Sequence, residues 1–355
     1  MNKQEALPIA VAAFVAVLTL VILLITNQQR APNSLKSSSW QVTNSFSLPR
    51  RALSAVIHHD YFYLVGGVDQ QSHYVPEVEF AAVNKDGSLG VWHRTSALGQ
   101  QRFYLAAVAY GNYLYALGGG TGDIGDNNQP VATVERARIL ANGSLGPWEF
   151  LGNMNTPRRG LKTVVYDGHI YALGGYNGEF LKTMERAKIL TNGDLGPWIT
   201  EKNESQVDRY IHSASVFKHY LVLLGGHMQN QQNLSHGDVE LAPVRQDASV
   251  GQWRISGGPL IVPRFMAAAF TLGNQLYIAG GHNGAERLAT VESAQINPFG
   301  ELAQWRPALP LTTARSAAAV AVQGDRVYIA GGINGKRVLN TVETAVLTAD
   351  GSLQP

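Results

Sequence analysis

One spacing, kept six times, constrains this chain more than any other feature. Paired glycines stand at Gly66–Gly67, Gly118–Gly119, Gly174–Gly175, Gly225–Gly226, Gly280–Gly281 and Gly331–Gly332. An arginine lies 16 residues before each first glycine: Arg50, Arg102, Arg158, Arg209, Arg264 and Arg315. A glutamate follows in each copy, at Glu79, Glu135, Glu185, Glu240, Glu292 and Glu343, and a tryptophan lies 13 residues after each of the first five, at Trp92, Trp148, Trp198, Trp253 and Trp305. Self-similarity at a period of about 50 to 56 residues marks a repeat architecture, in which one small unit buries its faces against its neighbours.

Each copy reads as four short strands. A small-apolar run such as AAAVAV comes first and an aromatic-aliphatic run ending in Gly-Gly second, with two-residue turns such as Gly111-Asn112, Asp167-Gly168 and Gly324-Asp325 between them. Such turns are the strongest short-range signal for a hairpin. The third run opens on the glutamate and is followed by a second turn, as at Asp86-Gly87, Asn142-Gly143, Asn192-Gly193 and Asp350-Gly351. At the same spacing a sixth tryptophan would fall one residue beyond Pro355, whereas Trp40 stands ten residues before Arg50, as Trp92 stands ten before Arg102. The N-terminal strand is therefore expected to complete the last copy and close a ring, which leaves no free sheet edge at either end.

Period, glycine pairs after an aromatic-aliphatic strand and a late tryptophan together resemble the kelch family, from Trp40 to the end of the chain. The resemblance implies an all-β, six-bladed β-propeller of four-stranded blades, with first strands lining a central channel and fourth strands outermost. The Glu-led third strand followed by D/N-G-S-L-G-x-W departs from the general pattern and marks a subgroup.

Before the repeats, Ala6 to Thr26 is 21 residues without a charge, enough to cross a bilayer of roughly 30 Å as a helix. It is longer than the apolar core of a signal peptide and lacks a small-residue exit. The expected organisation is a tail at 1–5, a transmembrane signal-anchor at 6–26, a polar linker at 27–39 and the propeller at 40–355, placed on the extracytoplasmic side of a single-pass membrane protein. With a formal net charge of +2 the chain carries no field that favours nucleic acid. It has no cysteine, which excludes thiol catalysis, zinc–thiolate sites and the cross-linked cofactor of the copper oxidases among kelch proteins. No metal site or cofactor is expected.

The two kinds of turn fall on one face, so the variable loops and blade-to-blade links fall on the other, where a rigid ring carries recognition. The arginines open the first strands on that loop face. Six guanidinium groups around a mouth can hold a carboxylate, a phosphate or an acidic peptide by forked, charged hydrogen bonds. Equally, each can reach over the side-chain-free Gly-Gly to the glutamate of its own copy as a structural ion pair. Phe103, Tyr104, Tyr210 and Phe265 stand beside the ring in some copies and Arg51, Arg159 and Ser316 in others, so these positions break the symmetry. They can stack a sugar, grip a peptide or plug the mouth. The tryptophans, Trp40 included, are read as inter-blade packing.

Asp123, Asp126 and Asn127 fit no defined calcium loop. His227, His236 and His282 lack the grouping of a metal site, and Asn142, Asn203 and Asn233 lie in N-x-S sequons. The chain thus reads as a membrane-anchored module that binds an unknown protein or a small anionic or carbohydrate ligand. A sialic acid-like sugar mutarotase or epimerase is the alternative, with acid–base residues at the channel mouth.

Overall fold

The computed structural model describes residues 39–124, 128–228 and 235–355. The segment 6–26 read as a membrane helix lies outside the described residues, with most of the linker, and so do Asp126, Asn127 and Asn233. Among the described residues no helix is long and apolar enough to cross a membrane.

Six antiparallel sheets succeed one another along the chain. Their innermost strands are Ser54–His58, Ala106–Tyr110, Lys162–Tyr166, Ser213–Phe217, Ala268–Leu272 and Ala319–Gln323, which define blades 1 to 6. Adjacent inner strands touch around the full circle, the first meeting the last. The second strands, such as Tyr61–Val65 and His169–Leu173, are buried on nearly every residue, because both faces of each blade are covered by neighbouring blades. Period-two alternation is therefore lost there and replaced by the continuous apolar runs seen in the sequence.

Blade 6 closes as the spacing requires. Gln41–Thr43 forms the outer strand of the sheet built from Ala319–Gln323, Arg326–Ala330 and Val342–Leu347, in register Gln41↔Thr344, Val42↔Glu343 and Thr43↔Val342. Trp40 is 1% exposed, stacks edge-on against Phe270 of blade 5 and donates its indole N–H to Leu309 O at 2.8 Å. The other tryptophans repeat this role at the remaining seams. Trp92 packs between blades 6 and 1, Trp148 between 1 and 2, Trp198 between 2 and 3, Trp253 between 3 and 4, and Trp305 between 4 and 5. The core is thus six apolar seams, each shared by two blades.

Two further sets of bonds tie the blades. Tyrosine hydroxyls on second strands reach the next blade's outer turn, as Tyr63 does to Gly143 O and Tyr171 to Ala248 O, both at 2.8 Å. On the opposite face, the second glycine of each pair donates its N–H to the carbonyl of the next blade's arginine, Gly332 reaching Arg50 at 3.0 Å to complete the circle. The approach explains the glycine: a Cβ on Gly331 would lie 2.6 Å from Arg50 O, at a φ of +65° that side chains disfavour.

Candidate functional site

The six repeated arginines lie inside the blades, each at most 1% exposed. In blade 3, Arg158 Nε bonds Glu185 Oε1 at 2.9 Å, while its Nη1 donates to Gly174 O and Thr183 O, both at 2.8 Å. Glu185 also accepts the N–H groups of Asn155 and Thr156 from the link that enters the blade. The same pair recurs as Arg50–Glu79, Arg102–Glu135, Arg209–Glu240, Arg264–Glu292 and Arg315–Glu343. Burial pulls the guanidinium pKa down at Arg50, Arg102, Arg158, Arg264 and Arg315, and the facing carboxylate opposes the fall. The structure therefore places all six arginines and all six glutamates in ion pairs that fasten link, second strand and third strand. None presents its guanidinium at the channel mouth.

What closes the mouth is the residue two positions after each arginine. Ala52, Tyr104, Gly160, Ile211, Met266 and Ala317 all take a positive φ, between 44° and 64°. Their backbones are joined head to tail: Ala52 N–H to Ala317 O, Tyr104 N–H to Ala52 O, Gly160 N–H to Tyr104 O, Met266 N–H to Ile211 O and Ala317 N–H to Met266 O, at 2.8–2.9 Å. Such a conformation is costly for a β-branched residue such as Ile211, which the ring holds through the bond its carbonyl accepts from Met266. Across the ring the Tyr104 hydroxyl meets Met266 Sδ at 3.2 Å. A gap of about 20 Å³ is left beneath, room for little more than one water, so the channel is shut at this end.

Above the ring lies an arc of aromatic side chains from blades 2 to 5. Phe103, Tyr210 and Phe265, singled out in the sequence, are joined there by Tyr176, Phe180, His227 and His282. Consecutive ring centroids from Tyr176 through Tyr210, Phe180, His227 and Phe265 to His282 are 5.0–5.6 Å apart. Arg159 enters this arc with its guanidinium carbon 4.7 Å from the Tyr176 ring, 5.2 Å from Tyr210 and 6.0 Å from Phe103. Gly120 makes the space, since a Cβ there would lie 2.6 Å from Phe103 and 2.8 Å from Arg159 Cδ.

Unlike the six blade arginines, Arg159 pairs with no carboxylate among the described residues, and its Nε has no hydrogen-bond partner there. Arg287 Nε and His227 Nδ1 in the same region are also buried without partners among the described residues. Burial, and then the neighbouring Arg287, hold His282 neutral below its ordinary pKa; burial does the same for His227 and pushes the Tyr210 phenol up, against the pull of Arg159. Among the described residues the region combines aromatic rings, with Phe103 and Phe265 themselves buried, with a guanidinium that bonds Tyr210 but meets no carboxylate and with unpartnered Nε–H groups on Arg159 and Arg287. It suits an anionic group carried on a planar or apolar body.

In the sequence Arg159 stands out only as a break in symmetry, and Tyr176, Phe180 and Arg287 are not distinguished from the rest of the variable loops. The signal available was the Gly120 departure, a third consecutive glycine found only in blade 2. Asp123 is exposed, and no group of three or more His, Asp or Glu side chains able to hold a metal occurs among the described residues.

Comparison with known proteins agrees with this architecture. A family description, the Kelch motif, matches residues 157–186, 263–293 and 314–343, the arginine-to-glutamate stretches of blades 3, 5 and 6. Alpha-scruin of Limulus polyphemus is 25% identical over 323 residues, covering 88% of this chain and 28% of its own length, so the chain spans little more than a quarter of that relative. Among solved structures, that of YjhT superposes with a TM-score of 0.69 at 15% identity, covering 88% of this chain and 99% of that one. At such identity the likeness speaks for the fold alone.

Proposed function

We propose that this kelch-repeat propeller is a binding module whose loop face engages an acidic partner, with Arg159 and the aromatic arc of Phe103, Tyr176, Phe180, Tyr210 and Phe265 as the point of contact. The observation that carries this reading is the guanidinium of Arg159, which meets no carboxylate among the described residues and is held between rings from three blades, beside six arginines that all pair with a glutamate. Cations stacked on aromatic faces are worth about 0.5–2 kcal/mol to a complex, and buried arginine and tyrosine anchors dominate interface energetics. The partner's chemistry is an aspartate or glutamate side chain, or a chain-terminal carboxylate, beside an apolar neighbour. The apolar stretch 6–26 would tether the propeller to a membrane.

An acidic sugar is the second reading, favoured by the same aromatic and cationic lining. A sugar-epimerising enzyme would need a free acid–base pair, and every repeated glutamate is committed to an arginine. The histidines of the arc and the loop carboxylates such as Glu179 and Glu286 are among the groups left for that chemistry.

Thermal unfolding of the full chain with acidic peptides, uronic acids and sialic acids tests both, because a ligand of the native state raises the melting temperature by mass action. A shift with an acidic peptide, lost in Arg159→Ala while the fold and baseline melting point are kept, supports the interaction module; weakening of roughly 10-fold is expected for that change. A shift with the sugars alone transfers the site to the second reading. An Arg159→Ala variant that binds the peptide as tightly as the parent sinks the assignment of the contact.

A further inference from the structure

Below the closed ring the molecule holds a second and chemically separate place. The channel is a cavity of about 630 Å³ walled by the six inner strands and running towards the face of two-residue turns. Its lining is alanine, valine, leucine, isoleucine, phenylalanine, serine and threonine, with one charged side chain among the lining residues, Lys162. Blades 1, 2, 4, 5 and 6 place Ser54, Ala106, Ser213, Ala268 and Ala319 at that position. Lys162 also borders the small gap under the ring, so it sits at the inner end of the channel.

The seam beside Lys162 is unusual in other ways. The next position of the ring, Ile211 after Gly160, is the one step where the head-to-tail backbone bond is not made. His212 follows it, fully buried with neither ring nitrogen bonded among the described residues, where other blades carry Leu53, Leu105, Leu161, Ala267 and Ala318. Arg158, Arg209, Lys162 and His236 all act on that imidazole and, after burial itself, hold it neutral. The nearby carboxylates Glu185 and Glu240 are consumed by Arg158 and Arg209, and Asp238 faces His236 and Arg209. Lys162 itself has no ion pair or hydrogen bond among the described residues. Lys162 is half-buried in a wall of small apolar residues interspersed with Ser and Thr hydroxyls, and the loss of solvent around its ammonium, with no counter-ion among the described residues, brings its pKa down to about 8.

We propose that the Lys162 amine is a covalent docking point for a small carbonyl compound, an aldehyde or ketone, that enters the channel from the turn face. The nitrogen lone pair attacks the carbonyl carbon, forming the C–N bond as the C–O π pair moves to oxygen, which takes a proton. The carbinolamine then loses its oxygen as water while the nitrogen pair forms C=N. Ammonium plus carbonyl thus gives protonated imine plus water, with no change of oxidation state and no co-reactant. An amine whose pKa is lowered by partial desolvation is the form that does this chemistry, and the cavity is of the size that takes a small ligand. The site stands independently of the loop-face contact, from which the closed ring separates it.

The test is reductive trapping on the full chain. Folded protein is treated with a limiting amount of butyraldehyde and sodium cyanoborohydride between pH 6 and 10, and alkylation of each lysine is followed by peptide mass spectrometry. Exposed Lys85 and Lys336 serve as references. Lys162 is expected to be alkylated at least about 10-fold faster than the references at pH 7, with a rate that levels off above pH 8, and excess acetone should slow it selectively. Lys162→Arg should keep the fold and lose the fast phase. The proposal is overturned if Lys162 in the folded chain reacts no faster than Lys85 and Lys336, or reacts only after denaturation.

Discussion

At the scale of single residues, two kinds of buried charge behave in opposite ways. The Arg–Glu pairs are satisfied on both sides, so removing one partner strands the other. Glu185→Ala is expected to cost about 3–5 kcal/mol, because Arg158 then remains buried beside nothing that balances it; urea unfolding of the two proteins measures it, and a loss below about 1 kcal/mol would contradict the assigned role. His212 is the unsatisfied case. Its folded pKa lies well below 6.5, from burial first and from Arg209 and Lys162 next, so the unfolded chain binds the proton that the folded chain refuses. Stability is therefore lost as pH falls below about 6.5. His212→Leu, which installs the residue found at the same place in blades 1 to 3, should flatten the decline in melting temperature between pH 6.5 and 5. An unchanged slope would show that the imidazole protonates freely in the fold.

At the scale of elements, repetition decides what can be read from the sequence alone. A turn, an arginine-to-glycine spacing and a glutamate that recur six times are separated from chance by their number, so strands, blade borders and the closing strand at Trp40 all follow from them. Lys162, His212 and Tyr176 have no such support. Each occurs once, with no counterpart in the other blades, and its meaning lies in what stands beside it across a seam. The arginine ring shows the converse: spacing alone leaves open whether six guanidinium groups face a ligand or a glutamate, since both readings share one spacing, and only side-chain direction separates them. The closing strand itself is short. Val42 pairs with Glu343, and Gln41 and Thr43 flank it. Val42→Pro removes a ladder position from this outer strand and is expected to lower stability by about 1–3 kcal/mol with the other five blades intact; hydrogen exchange should show the loss first in Val342–Leu347.

At the scale of the whole described unit, the propeller separates a sealed loop face from an open channel, and the seam between blades 3 and 4 contributes to both. Arg159 lies above the ring there and Lys162 below it, while most of the remaining circle is filled by residues that only pack. The unit is a scaffold on which a few departures from symmetry carry whatever chemistry there is. Its closure adds a mechanical consequence. The chain enters the circle through Trp40 and Gln41–Thr43, the residues that also latch blade 6. Any pull delivered through the chain before Ser39 thus reaches Trp40 and its bonds to blade 5 first, and then loads the hydrogen bonds of the latch one after another, like a zip. Trp40, wedged against Phe270 in blade 5, is the pin that tension must draw first.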